Sequence, residues 1–154
     1  MSVTVADIMT ADPIVVQPET PLSQAIQILA ERRISGLPVV DQSGKLVGVI
    51  SETDLMWQET GVRSPAFITI LDSVIFLENP AKHEEELHKA LGQTVGEVMT
   101  KKGIITIAAD RSLQEAAQLM RDRNVRRLPV VDAADQVVGI VTRGDIIRHM
   151  AANL

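Results

Sequence analysis

Two short stretches of the chain combine residue types that could bind an anionic ligand carrying hydroxyl groups. Residues 48–54 are Gly-Val-Ile-Ser-Glu-Thr-Asp, and residues 139–145 are Gly-Ile-Val-Thr-Arg-Gly-Asp. Each places a glycine, two apolar residues, a hydroxyl residue and then an aspartate at the junction of a predicted strand and a predicted helix. Free N–H groups at a helix start attract an anion, a hydroxyl can donate to phosphate, and a carboxylate accepts hydrogen bonds from ribose hydroxyls.

The same spacing has a second interpretation that needs no ligand. Ser51 with Asp54, and Thr142 with Asp145, fit a variant of the capping box in which aspartate replaces glutamate. In that arrangement the hydroxyl and the carboxylate satisfy backbone N–H groups at the helix start. The residues alone leave both interpretations open.

The sequence contains an internal repeat. Leu-Pro-Val-Val-Asp occurs at residues 37–41 and again at 128–132, an offset of 91 residues, and further identities flank the match on both sides. Upstream, Met9-Thr10 matches Met99-Thr100 at an offset of 90. The chain therefore carries two copies of one supersecondary unit, which we place at residues 1–57 (repeat 1) and 95–154 (repeat 2).

Each repeat has the predicted element order strand, helix, strand, strand, helix. Thr20-Pro21 predicts an N-cap with proline at the first helical position, and Ser112 to Glu115 is a capping box. The polar turn Asp41 to Gly44 joins two apolar strands as a hairpin. The first strands are predicted at residues 14–16 and 104–107. The first helix of repeat 1 has apolar residues at helical spacing, namely Leu22, Ala25, Ile26 and Leu29. Its hairpin strands are predicted at 37–40 and 46–50, and its last helix begins near Ser51.

The fold class is therefore α/β (α+β), with continuous apolar strands that predict a sheet covered on both faces. A repeat of about 50 residues buries little surface alone. We expect the two repeats to pack about a pseudo-twofold axis, with a cleft between them.

Residues 58–94 differ from both repeats. Apolar residues at helical spacing precede Asn79-Pro80, an N-cap followed by proline, and then a polar segment. This pattern predicts a helical insert. We interpret it as a packed connector, because apolar stripes of helical period are usually buried, and the alternative is a surface that binds a partner protein.

Composition excludes several classes of protein. The chain has 154 residues, no cysteine and a net charge of −5, which leaves no cysteine-type metal site or cysteine nucleophile. No apolar run approaches the length of a membrane span, and the first residues lack a signal-peptide pattern, so we expect a cytoplasmic protein without membrane contact. The acidic charge and scarce aromatic residues argue against nucleic-acid binding.

The doubled motif resembles the CBS domain, named after cystathionine β-synthase. The resemblance rests on Met-Thr, the apolar strand and helix, Leu-Pro-Val-Val-Asp and Gly-x-x-Ser/Thr-x-x-Asp, and it covers the chain apart from residues 58–94. It is closer to stand-alone CBS pairs than to modules fused to an enzyme or channel. In this family a tandem pair forms a Bateman module that commonly binds AMP, ADP, ATP or S-adenosylmethionine in its cleft, and modules often dimerise into a disc.

The resemblance implies which residues would bind a nucleotide. Ribose-binding aspartates would be Asp54 and Asp145, the adjacent hydroxyls Ser51 and Thr142, and the motif glycines Gly48 and Gly139. Phosphate contacts in the family often come from basic residues just before Leu-Pro-Val-Val.

The two repeats differ at that position. Repeat 2 has Arg126-Arg127 where repeat 1 has Ser35-Gly36. Arginine has a planar fork that suits phosphate oxygens, so we expect the second site to be the one that binds phosphate. The alternative for the two arginines is a solvated helix end.

The leading hypothesis is a non-catalytic regulatory module that senses AMP, ADP or ATP, in preference to S-adenosylmethionine, and acts on a separate protein in trans as a homodimer. Ser51 and Thr142 have no histidine or lysine base in their motifs, which argues against nucleophilic catalysis, and no metal site is predicted. The alternative is a ligand-free dimerisation or scaffold protein whose helical insert binds a partner.

Overall fold

The computed structural model describes residues 3–56 and 93–154, which divide into two units. Unit 1 contains residues 3–14, 42–46 and 103–154, and unit 2 contains residues 15–41, 47–56 and 93–102. The insert predicted at 58–94 lies almost entirely outside the described residues. The expected pseudo-twofold packing and its cleft stay predictions.

Short helices and strands alternate along the chain, and this confirms the mixed α/β class. The helices are α1 (Val5–Ile8), α2 (Leu22–Arg32), α3 (Glu52–Met56), α4 (Val95–Val98), α5 (Leu113–Arg123) and α6 (Arg143–Ala152). The strands are β1 (Thr10–Ala11), β2 (Gly36–Val40), β3 (Leu46–Ser51), β4 (Arg127–Val131) and β5 (Val137–Thr142). Strands β2 and β3 pair with each other, and a second sheet has the order β1-β5-β4, with antiparallel neighbours.

The first segment of each repeat packs in the unit that is otherwise built mainly from the other repeat. Residues 3–14, here called arm 1, lie in unit 1, where Thr10 pairs with Ile140 of β5. Residues 93–102, arm 2, lie in unit 2, where Thr100 forms an isolated bridge with Val49 of β3. The predicted boundaries 1–57 and 95–154 therefore describe the repeat in the sequence, while the units exchange their arms.

Each arm lies against a glycine of the second hairpin strand. A Cβ on Gly48 would be 2.5 Å from Met99 Sδ and 3.1 Å from the carbonyl oxygen of Thr100. In unit 1 a Cβ on Gly139 would collide with the sulfur of Met9 and lie 3.0 Å from the Thr10 carbonyl oxygen. A side chain at either position would thus displace the arm, which gives both motif glycines a packing role.

The first strand of each repeat is shorter than predicted. Of residues 14–16 and 104–107, only Val16 and Ile107 bridge a neighbour, in parallel with Val39 and Val130. A longer parallel ladder would require the next donors to be Pro38 and Pro129, which have no N–H group. The predicted strands were therefore too long, although their order in the fold is confirmed.

The hairpin predicted for repeat 1 is confirmed within one residue at each strand end, and repeat 2 has the corresponding strands β4 and β5. Gly44 has a φ of 89°, the left-handed conformation expected of a turn glycine. Asp135 stands at the equivalent position in the second hairpin with a φ of 59°.

The N-cap prediction for Thr20 was wrong. Pro21 is the N-cap of α2, with a ψ of 136°, and it bridges Thr94 of arm 2. Thr20 instead accepts a hydrogen bond from the Gln17 N–H with its hydroxyl, at 3.0 Å. The bridge to the arm holds Pro21 extended, so the helix starts one residue later than local sequence indicates.

Each unit buries its own apolar core. The four residues predicted from helical spacing, Leu22, Ala25, Ile26 and Leu29, are all buried in unit 2. Strand β2 is buried along its whole length, as expected for a sheet covered on both faces. The arms contribute one fully buried valine each, Val95 in unit 2 and Val5 in unit 1.

Within residues 3–56 and 93–154, no helix combines the length and apolar character needed to cross a membrane. The cytoplasmic location stays a prediction.

The Gly139→Ala substitution tests the packing of arm 1. Because the new methyl group would collide with Met9, we expect it to lower the free energy of unfolding by about 1–3 kcal/mol in urea titrations. In the double variant Gly139→Ala/Met9→Ala, removing the methionine side chain relieves the clash. Its loss in the free energy of unfolding should therefore be smaller than the sum of the two single losses, by about 0.5 kcal/mol or more. Strictly additive losses would contradict the close approach.

Candidate functional site

The turn from β5 into α6, residues 142–145, is called here the Thr142 turn. Thr142 is the N-cap of α6. Its backbone N–H donates to Asp145 Oδ2 at 2.8 Å, and the Asp145 N–H donates to Thr142 Oγ1 at 3.1 Å. The capping box that the spacing allowed is therefore present, and its bonds orient the carboxylate.

The equivalent turn of repeat 1, residues 51–54, is the Ser51 turn, between β3 and α3. The Ser51 N–H donates to Asp54 Oδ2 at 2.9 Å, and the Ser51 hydroxyl donates to the same oxygen at 3.1 Å. Ser51 is buried. Here the hydroxyl is a donor to the carboxylate, whereas in the Thr142 turn it accepts from the backbone.

The second oxygen of each carboxylate has a different donor. Thr100 of arm 2 donates its hydroxyl to Asp54 Oδ1. Arg148 of α6 donates from its guanidinium to Asp145 Oδ1. Sequence reasoning missed both residues, although signals existed: the repeated Met-Thr pair contains Thr100, and a cation three residues after an acid on a helix favours an ion pair.

The structure brings the predicted arginines next to the Thr142 turn. Arg127 pairs with Thr142 across the β4–β5 ladder, and the carbonyl of Arg126 accepts from the Arg143 N–H at 2.9 Å. Arg126 is exposed and Arg127 is partly buried. In repeat 1 the equivalent backbone hydrogen bond runs from the Glu52 N–H to the carbonyl of Ser35. The Ser51 turn therefore has the acidic Glu52 where the Thr142 turn has Arg143. The Thr142 turn is therefore the more basic of the two.

A third turn has the same hydroxyl-to-aspartate spacing without the motif glycine. Asp7 Oδ2 accepts from the Thr4 N–H at 2.9 Å and from the Thr4 hydroxyl at 3.1 Å, at the start of α1. Both hydrogen bonds lower the pKa of Asp7 below its usual value, and the bond from the Thr4 backbone N–H contributes most. The capping arrangement alone thus does not distinguish a ligand site from a helix start.

Unit 1 has two concave surfaces, of which one lies apart from the Thr142 turn and the other includes Arg143 of that turn in its lining. A groove of about 740 Å³, here the hairpin groove, is lined by residues 106–111, Glu115, Leu119 and residues 131–133. It lies at the turn end of the hairpin, the opposite end of β4 and β5 from Arg127 and Thr142. A smaller groove of about 300 Å³ lies between α5 and α6. Neither groove is lined by a predicted site residue, and no sequence motif indicated either of them.

The chemistry of the two turns is that of binding. They offer carboxylate and hydroxyl oxygens, backbone N–H groups at helix starts and, in repeat 2, arginines. These groups fit a ligand that carries both hydroxyls and an anionic group. Within residues 3–56 and 93–154, no three His, Cys, Asp or Glu side chains come close enough to hold a metal ion.

Comparison with known proteins adds relatives of similar size and fold. An uncharacterized protein of Methanocaldococcus jannaschii, MJ1426, is 37% identical over 153 residues, which cover 95% of this chain and 90% of that protein. The chloroplastic protein CBSX1 of Arabidopsis thaliana is 35% identical over 151 residues. This chain matches 63% of the length of CBSX1.

Two solved structures with bound ligands share the fold. The Arabidopsis thaliana protein CBSX2 in complex with AMP is 35% identical, with a TM-score of 0.71 and 97% of each chain covered. The CBS domain pair of MJ0100, in complex with 5-methylthioadenosine and S-adenosyl-L-methionine, is 29% identical, with a TM-score of 0.71 and 100% of each chain covered.

The CBS domain matches twice, at residues 5–58 and 95–152, which include both Gly-x-x-Ser/Thr-x-x-Asp turns. The chain belongs to the CBS domain family and carries the domain as a tandem pair.

Proposed function

We propose that this chain is a non-catalytic regulatory module that binds an adenine nucleotide at its strand-to-helix turns and acts on a separate protein in trans. The observation that carries the proposal is the pair of oriented aspartates, Asp54 and Asp145, each held at the start of a helix. The AMP complex of CBSX2 and the nucleoside complexes of MJ0100, which share this fold, support it.

The hydrogen bonds of each aspartate leave acceptor capacity for a ribose. Asp145 uses Oδ2 for the cap and Oδ1 for Arg148. A carboxylate oxygen accepts from whichever donor is in reach, so Oδ1 can exchange its side-chain donor for ribose hydroxyls while the cap on Oδ2 stays intact. The turn is therefore preorganised to receive the sugar.

Charge favours a phosphorylated ligand at the Thr142 turn. Arg126 and Arg127 lie beside this turn, at the start of β4. Charge-assisted hydrogen bonds to phosphate are stronger than neutral ones. The same cations disfavour the sulfonium group of S-adenosylmethionine. AMP, ADP and ATP are accordingly the proposed ligands, with the Thr142 turn filled before the Ser51 turn.

A ligand-free dimerisation or scaffold protein is the second candidate. It is favoured by the capping bonds of both turns, which form without a ligand. The Thr4–Asp7 turn, which lies outside the motif, has the same two bonds as the Ser51 turn. The insert at 58–94, which would bind the partner in this alternative, lies outside the described residues.

We also propose that the chain forms a homodimer through α6. Ile147 and Met150, one helical turn apart, are 63% and 58% exposed, and Ile147 also lines the groove between α5 and α6. A second copy would place the same apolar face against this one across a twofold axis.

Substitution of Asp145 separates the ligand role from the cap. Asp145→Ala should weaken AMP binding about tenfold or more, because it removes ribose hydrogen bonds worth roughly 1–3 kcal/mol. Asp145→Asn keeps an oxygen for the Thr142 N–H and should retain more stability while still losing affinity. Calorimetric titration with AMP and urea unfolding would measure the two effects, and an AMP affinity unchanged in Asp145→Ala would contradict the proposal.

The double substitution Arg126→Ala/Arg127→Ala tests the phosphate role. We expect AMP binding to weaken and to become less dependent on salt, because two cations near the phosphate are lost, while adenosine binding hardly changes. Equal losses for adenosine and AMP would indicate that the arginines support the fold instead.

Light scattering at micromolar concentration tests the homodimer. Ile147→Lys would bury two charges at a twofold interface and should raise the dimer dissociation constant by on the order of 100-fold. Ala134→Lys, on the exposed hairpin turn, is the matched control and should leave the dimer intact. A wild-type chain that is monomeric at this concentration would contradict the interface.

A further inference from the structure

The outer oxygens of the two site aspartates differ in the charge of their donor. Asp54 receives the neutral hydroxyl of Thr100, whereas Asp145 receives the guanidinium of Arg148. The Arg148 side chain is 72% exposed, but the Asp145 side chain is only 11% exposed. A ligand hydroxyl that approaches Asp145 Oδ1 therefore meets a cation already bonded to that oxygen.

Gly144 makes room for this arginine. A Cβ at Gly144 would lie 3.1 Å from Nη1 and 3.7 Å from Cζ of Arg148, so the guanidinium folds back over the first turn of α6. Glycine is an unfavourable residue in a helix, by about 1 kcal/mol relative to alanine. At the positions equivalent to Gly144 and Arg148, repeat 1 has Thr53 and Trp57. The glycine and the arginine thus occur together, in repeat 2 alone.

We propose that Arg148 is a specificity-determining residue that competes with the ligand for Asp145 and thereby makes the Thr142 turn select phosphorylated nucleosides over uncharged ones. The inference rests on the proposed function. An uncharged nucleoside must displace the guanidinium from its carboxylate and offers it no anion in return. A nucleotide brings a phosphate that attracts the released cation, so the displacement costs it less.

A helix-stabilising ion pair with no part in binding would make a different prediction. Such a pair would change stability but not the ratio of the affinities for AMP and adenosine. Competition also gives binding of a neutral ligand an unusual salt dependence. Salt weakens the exposed Arg148–Asp145 pair, so adenosine should bind more tightly as the salt concentration rises.

The experiment uses the full chain with Asp54→Ala, so that only the Thr142 turn of the proposed pair is intact. Adenosine and AMP are titrated calorimetrically, at low and high salt, into this protein and into the same protein with Arg148→Met, with Gly144→Thr or with Arg123→Met. Gly144→Thr places the bulkier repeat 1 residue against the guanidinium, so it crowds Arg148 away from Asp145 while keeping its charge. Arg123→Met, in the last turn of α5, is the charge-matched control.

We expect Arg148→Met and Gly144→Thr each to tighten adenosine binding about three- to fivefold at low salt and to abolish its increase with salt. AMP affinity should stay equal or fall, so the preference for AMP over adenosine decreases. Arg123→Met should leave the preference unchanged.

The outcomes separate this inference from the proposed function. If the Asp54→Ala protein binds AMP and neither Arg148→Met nor Gly144→Thr tightens adenosine binding, the competition is overturned and the proposed function stands. If the wild-type chain binds neither adenosine nor AMP, both are overturned. Thermal unfolding of each variant checks its fold, and Gly144→Thr alone decides the inference if Arg148→Met does not fold.

Discussion

In each unit the methionine of arm 1 or arm 2 lies against a glycine of the second hairpin strand, and the rest of the local structure depends on that close approach. Gly48 and Gly139 leave no space for a Cβ, because the arm's sulfur and a carbonyl oxygen of its threonine occupy it. The approach lets Thr100 bridge Val49 and Thr10 pair with Ile140. It also buries one valine of each arm in the core of its unit, Val5 in unit 1 and Val95 in unit 2. In unit 2 it brings Thr100 within hydrogen-bonding distance of Asp54.

The site aspartates combine two tasks that the same atoms can perform. One oxygen of Asp145 is fixed by the Thr142 N–H, which stabilises α6, and the other oxygen faces a side-chain donor that a ligand can replace. Ligand binding at such a turn, as proposed, would change only the outer hydrogen bonds, because the cap already orders the backbone. The Thr4–Asp7 turn has the first task without the motif glycine. The capping bonds alone therefore do not distinguish a helix start from a proposed binding turn, and the distinction must come from the residues around the turn.

Local patterns predicted most of the fold. The helical spacing of Leu22, Ala25 and Ile26 identified buried residues, and the turn chemistry at Gly44 identified a hairpin. The exchange of arms could not be predicted in this way. Met9-Thr10 and Met99-Thr100 match each other equally well whichever hairpin they join, and only the three-dimensional packing decides.

Other features were missed because they depend on contacts between distant residues. The missing N–H groups of Pro38 and Pro129 shorten the first strands only once the parallel partner is known. The N-cap shift to Pro21 follows from its bridge with Thr94. At the candidate site, the motif singled out Asp54 and Asp145, but which side chain donates to the outer oxygen, Thr100 or Arg148, depends on three-dimensional packing.

An NMR titration of the isotopically labelled chain with AMP tests whether an adenine nucleotide binds at the strand-to-helix turns. We expect the largest amide shift changes in residues 142–145 and at Arg127, with smaller changes in residues 51–54 at higher AMP concentration. Shift changes confined to the hairpin groove, residues 106–111 and 131–133, with the Thr142 turn unchanged, would contradict it.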